Sequence, residues 1–152
     1  MATTLSSNWP LRFKGEPKTE MFIVDTAVAQ HIYQGMPLML DDTGDKTVVI
    51  NPDLITVAAP DTFVGIAAHE KVVSIGDAMT FEASGIEVYV EPTIVGFKAT
   101  TYTTADLGME ISMDITGILA TTGAGKPRLG KLYKVEDGYC YVQLETPFIQ
   151  AA

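Results

Sequence analysis

Ile32-Tyr33-Gln34-Gly35-Met36-Pro37-Leu38-Met39-Leu40 is the stretch that decides the fold class of this 152-residue chain. It is apolar, broken by one glycine and one proline, and too short on either side of the break for a helix of ordinary length. Phe63-Val64-Gly65-Ile66-Ala67 repeats the design. So does Gly76-Asp77-Ala78-Met79-Thr80-Phe81. Each reads as a short strand cornered by glycine, and none carries a plausible catalytic group. The chain therefore reads as a small β-structure that holds and is held.

Working outward, the same grammar continues. Met21 to Val24 is an apolar run, and Thr26 to His31 is read as one helical turn. Pro37 to Leu40 and Thr47 to Ile50 flank Asp41-Asp42-Thr43-Gly44-Asp45, which has turn composition. Leu54 to Ala59, Phe63 to Ala68 and Val72 to Ile75 read as further short strands. Ala78 to Ala83 and Ile86 to Val90 are read as a hairpin across Ser84-Gly85. Thr93 to Thr100 alternates weakly. Met109, Ile111, Met113 and Ile115 alternate with polar residues, the signature of a half-buried strand. Lys131 to Val135 and Tyr139 to Leu144 close the chain as a hairpin across Glu136-Asp137-Gly138. No helical period is sustained over several turns. The expectation is an all-β fold, one compact β-barrel or β-sandwich-like domain over 21–152, with an extended N-terminal arm over 1–20.

The arm has two readings. Trp9, Leu11 and Phe13 alternate as strand residues do, inside a polar segment interrupted by Pro10, Gly15 and Pro17. They either pair with another surface by strand addition or fold back on their own domain. Trp9 is the single tryptophan of the chain.

Charge is distributed in blocks within a net of −9. Residues 1–20 carry Arg12, Lys14 and Lys18 against Glu16 and Glu20, a net of +1. Residues 21–125 carry 14 acids against Lys46, Lys71 and Lys98, a net of −11. Residues 126–152 carry Lys126, Arg128, Lys131 and Lys134 against Glu136, Asp137 and Glu145, a net of +1. An acidic body argues against nucleic acid as a partner, because phosphate contacts need clustered cations. The acidic body is either a solvated surface, or it faces solvent while the basic ends dock on an acidic partner. No apolar stretch approaches the roughly 20 residues that span a bilayer, so no membrane is expected. Residues 1–20 hold no hydrophobic segment of signal-peptide type.

No constellation of catalytic, metal-binding or cofactor-binding residues stands out. Asp41, Asp42 and Asp45 lack the spacing and the closing glutamate of a calcium loop. Gly123-Ala124-Gly125-Lys126-Pro127 has Ala120 and Pro127 where a phosphate loop needs glycine and a hydroxyl. His31, His69 and Cys140 have no zinc spacing. Cys140 is the single cysteine, which rules out an intrachain disulfide. Strand alternation places it with Val142 and Leu144 on an apolar face, and Tyr139, Tyr141 and Gln143 on the other. That tyrosine face is either an interface or ordinary exposed sheet. The candidate interface residues are Trp9, Leu11, Arg12, Phe13, Tyr139 and Tyr141. The chain is not expected to be an enzyme.

A resemblance follows the order of these pieces. Asp25-Thr26-Ala27 leads to Ile32-Tyr33-Gln34-Gly35, then Phe63-Val64-Gly65-Ile66-Ala67, Ile75-Gly76-Asp77, Gly85-Ile86-Glu87-Val88 and Gly130-Lys131-Leu132. Over roughly residues 21 to 146 the chain resembles the head decoration (capsid cement) proteins of tailed bacteriophages. The resemblance implies a β-tulip-like domain, a homotrimer, and the major capsid protein as partner. It places the protein on the capsid exterior of a virion assembled in the host cytoplasm, where it stabilises the shell. An N-terminal arm would pin the domain to the shell or to a neighbour. Other readings are a tail-tube or baseplate β-domain, and a carbohydrate-binding module using the aromatic rings.

Overall fold

A computed structural model describes residues 8–40, 48–50, 63–98, 102–113, 119–121 and 128–145. The fold is all-β. Its strands are β1 (Leu11–Lys14), β2 (Lys18–Val24), β3 (Gln30–Ile32), β4 (Pro37–Leu40), β5 (Val48–Ile50), β6 (Phe63–Ala67) and β7 (Lys71–Val73). A turn of α-helix, α1 (Phe81–Ser84), precedes β8 (Gly85–Val90) and β9 (Ile94–Lys98); a 3-10 turn (Thr104–Asp106) then leads to β10 (Glu110–Met113), β11 (Leu119–Thr121), β12 (Arg128–Glu136) and β13 (Tyr139–Leu144). Strands β2-β5-β4-β6-β8 close a barrel. A 6-stranded sheet runs β1-β9-β13-β12-β10-β11, and β3 and β7 form a separate 2-stranded ribbon. Among the described pairings only β2–β5 is parallel.

Two cores lie on either side of a shared wall, β4–β6–β8. Leu38, Val64, Ala67 and Val88 point into the barrel with Phe22 and Val24. Met39, Ile66 and Tyr89, from the same three strands, point out against Val95, Phe97 and Leu132 of the open sheet. This arrangement explains why Val64-Gly65-Ile66-Ala67 is a continuous apolar run: both of its faces are covered. A register shift between Leu38 and Met39 opposite β6 lets Val64 and Ala67, three apart, face the same core. Each fully buried aliphatic or aromatic side chain in these cores contributes roughly 1.5–3 kcal/mol. Thr93 joins the two layers. Its hydroxyl accepts from Lys18 N at 2.7 Å and donates to Lys18 O at 3.1 Å, while its carbonyl accepts from Leu144 N at 3.0 Å.

Two local expectations are corrected. Thr26 to His31 is not a helical turn. Asp25 Oδ1 accepts from Ala27 N at 2.9 Å, an Asx-type turn that competes with helix, and the chain then enters β3, which pairs with β7. Ala78 to Val90 is not a hairpin either. Thr80 caps α1 by accepting from Ala83 N at 3.1 Å, Ser84 Oγ donates to Ala78 O at 2.9 Å, and the chain runs straight from α1 into β8. The closing hairpin forms as its sequence indicates, on a two-residue turn with Asp137 at φ 53° and Gly138 at φ 78°. The aspartate-rich stretch 41–45, the run 54–59 and the glycine-rich stretch 123–127 lie outside the described residues.

The sequence boundary at residue 20 falls inside β2. Of the two readings of the first segment, residues 8–14 follow the second: β1 pairs with β9 in the register Leu11↔Phe97 to Lys14↔Ile94.

A cationic, tyrosine-lined sheet face as the candidate docking site

Strands β1 and β13 lie on either side of β9, so five of the six candidate interface residues meet on one sheet, and Trp9 lies two residues before β1. They divide between its faces. Trp9, Leu11 and Phe13 are half-buried against the inner core. Trp9 and Phe97 rings sit 5.1 Å apart, and Phe13 and Tyr89 rings 4.7 Å apart. Arg12, Tyr139 and Tyr141 belong to the outer face, as their pairing with Gly96 and Lys98 requires.

On that outer face the rings and cations are interlocked. The Arg12 guanidinium carbon stands 4.1 Å from the Tyr139 ring centre. Lys14 Nζ stands 4.9 Å from the Tyr141 ring centre, and the two tyrosine rings are 6.5 Å apart. Tyr141 is only 3% exposed because its ring lies flat over Gly96. A Cβ at Gly96 would meet that ring at 2.6 Å, so glycine is what allows the tyrosine to lie down. Tyr141 is therefore a floor for Lys14 rather than a protruding anchor.

Glu136 organises the cations. Its two oxygens take Lys14 Nζ at 2.7 Å and Lys134 Nζ at 3.0 Å. The Lys14 hydrogen bond, then that of Lys134, holds the Glu136 carboxyl down at about 2. The same bond to Glu136 raises Lys14. Tyr133 joins this face through a bulge. Register runs Leu132↔Val142 and then Lys134↔Tyr141, which leaves Tyr133 as the extra residue, 50% exposed. The bulge also keeps Leu132 and Val135, three apart, on the inner core.

With Lys98 opposite Tyr139 and Lys131 opposite Gln143, the outer face gathers Arg12, Lys14, Lys98, Lys131 and Lys134, half of the 10 basic residues in a chain of net charge −9. Among the described strand residues, Glu110 and Glu136 place carboxylates on the same face. Such a surface is open and sheet-like, with rigid amphipathic rings and cations held at fixed positions. It is suited to a carboxylate-bearing protein surface, where pre-ordered side chains lose little entropy on contact.

The candidate residues named from the sequence leave out Lys14, Lys98, Lys131, Lys134, Glu136 and Tyr133, although the reading of basic ends that dock on an acidic partner takes in Lys14, Lys131 and Lys134. The signals were present: the basic surplus of residues 126–152, and the apolar pair Leu132 and Val135 at a spacing that only a bulge can place on one face.

The remaining candidates are separately engaged. His69 Nδ1 bonds Glu70 O at 2.9 Å, and its Nε2 accepts from Glu87 N at 3.2 Å. His31 Nε2 meets Glu70 Oε2 at 2.5 Å, and its ring stacks on Tyr33. Cys140 is buried in the sheet core; burial pushes its thiol up, with a backbone bond from Tyr102 acting the other way. Among the described residues no group of three His, Cys, Asp or Glu side chains could hold a metal ion. No protein-family model, curated protein or solved structure matches this chain.

Proposed function

We propose that this chain is a virion structural protein that docks on the outer surface of a tailed-bacteriophage capsid as a decoration, or cement, protein and stabilises the shell. The major capsid protein is its partner, and a homotrimer is the working unit. The observation that carries the reading is the cationic, tyrosine-lined outer face of the 6-stranded sheet in a chain that is otherwise acidic. It supports a surface that docks on carboxylates, and the resemblance supplies the kind of partner.

The mechanism is linkage. A protein that binds only the assembled lattice stabilises it by its own binding free energy. Copies linked in a trimer add avidity, so each face needs only modest affinity. Contacts made by cations on an open face weaken as salt rises.

Cosedimentation with bare mature capsids of the phage that carries this chain tests the reading. Saturable binding that falls with salt, and a rise in the heat resistance of the shell, are expected. The variant Lys131→Glu/Lys134→Glu should bind weakly while remaining folded. No binding by the wild type overturns the reading. Polymerisation into tubes or rings without capsids would place the protein in the tail.

A further inference from the structure

Residues 8–14 touch the rest of the molecule in three zones, and the two end zones are built alike. At the start, Glu70 Oε1 accepts from Asn8 Nδ2 at 3.3 Å while Oε2 meets His31 Nε2. Asn8 Oδ1 accepts from Gln34 N at 2.9 Å. Trp9 N donates to Gln34 O at 3.0 Å, and Gln34 Nε2 returns a bond to Trp9 O at 3.0 Å. Gly35, at φ 91°, leaves room for this contact, since a Cβ there would meet Trp9 Cβ at 2.8 Å. At the far end Glu136 holds Lys14 and Lys134. Between the ends, no side chain of 8–14 is fully buried. β1 is also the edge strand of its sheet, laddered to β9 alone among the described strands. The link to β2 is only Gly15, Glu16 and Pro17.

We propose that residues 8–14 are a strap clipped at each end by a carboxylate, Glu70 and Glu136, and that protonating both carboxylates opens the strap while the two cores stay folded. Each carboxylate accepts from two donors, so protonation replaces an acceptor with a donor facing another donor. The groups facing Glu70 are His31 from β3 and Asn8, with His69 and Lys71 flanking it in its own segment. Those facing Glu136 are Lys14 from β1, Lys134 from its own strand, Tyr139 opposite it, and Tyr141 beneath Lys14, with Asp137 next in the turn. Both carboxyls are held below their ordinary range by these hydrogen bonds, so the strap is shut at neutral pH and opens only in acid. Opening bares the edge of β9 and the core beneath Trp9, Leu11 and Phe13. This device goes beyond the docking role and does not depend on it.

The test uses the full chain at neutral pH, with Glu70→Gln/Glu136→Gln standing in for the protonated state. Amide exchange read by mass spectrometry should be about tenfold faster or more over residues 9–14, with β8 and β13 unchanged, as expected of local rather than global opening. Each single variant should fall short of the double. Wild-type rates over 9–14 in the double variant overturn the strap, and so does faster exchange everywhere. Trp9, the single tryptophan, gives a second reading. In an acid titration of the wild type its emission should shift to that of a solvated indole before the far-ultraviolet strand signal falls. The double variant should show that shifted emission throughout. Coincidence of the two wild-type transitions overturns the proposal.

Discussion

β13 and β1 are both partners of β9, and they are held there by different physics. β13 ladders on both edges and buries Cys140, Tyr141, Val142 and Leu144. β1 ladders on one edge and leaves Leu11 and Phe13 half-exposed, with an ion pair from Lys14 to Glu136 fixing its last residue. One sheet thus contains a strand secured by burial, which pH and salt barely touch, and a strand secured partly by an ion pair, which both can loosen. Both strands contribute to the candidate docking face, and β1 is the one whose hold is adjustable.

Same-type substitutions on the two strands sharpen that comparison. Leu144→Ala should cost about 2–5 kcal/mol, the range for a truncated core leucine that leaves a cavity. Leu11→Ala should cost only about 1 kcal/mol, because much of its surface stays in water and its neighbours can relax. Urea denaturation measures both. Equal costs would mean that β1 is as much a core strand as β13.

Gly96→Ala attacks the shared floor. The new methyl would lift the Tyr141 ring, and overpacking of this kind costs about 1–3 kcal/mol. It should also disturb Lys14, whose ammonium lies over that ring. A neutral effect in urea denaturation would show that Tyr141 can lie elsewhere. Arg12→Met keeps the stem but removes the cation over Tyr139, which should cost about 0.5–1 kcal/mol of stability. Capsid cosedimentation of this variant should weaken by more than its small stability loss explains.

Much of the fold was legible in the sequence because strand signals are local. Alternation in Trp9-Pro10-Leu11-Arg12-Phe13 marks β1, and Asp137-Gly138 marks the closing turn. Alternation gives the period but not what covers the apolar side, so the arm stayed open between two readings. The two errors were also local competitions. Asp25 draws the following residues into a side-chain-capped turn, and Thr80 starts a helical turn that apolar content alone does not reveal. The docking face was legible only in halves. Arg12 and Lys14 come from one end of the chain, and Lys131 and Lys134 from the other. What brings them together is the order β1-β9-β13-β12, a long-range pairing that no local pattern encodes.

The smallest predicted effect discriminates best between the two kinds of hold. Glu136 sits below its ordinary value of 4.5, at about 2, so its pairing adds stability above pH 4.5 and loses it as pH falls toward 2. Lys14 is raised above 10.5, so its side of the pair is intact below that value and is lost only as pH rises past it. The pair therefore operates across the whole neutral range. Because it is half-exposed, its contribution is small and screened. The melting-temperature gap between wild type and Glu136→Gln should be widest near pH 7, close as pH approaches 2, and narrow in about 0.5 M salt. The gap for Leu144→Ala should stay nearly constant over the same conditions. If the Glu136→Gln gap persists in acid, charge does not hold β1, and the contrast between the two strands reduces to burial alone.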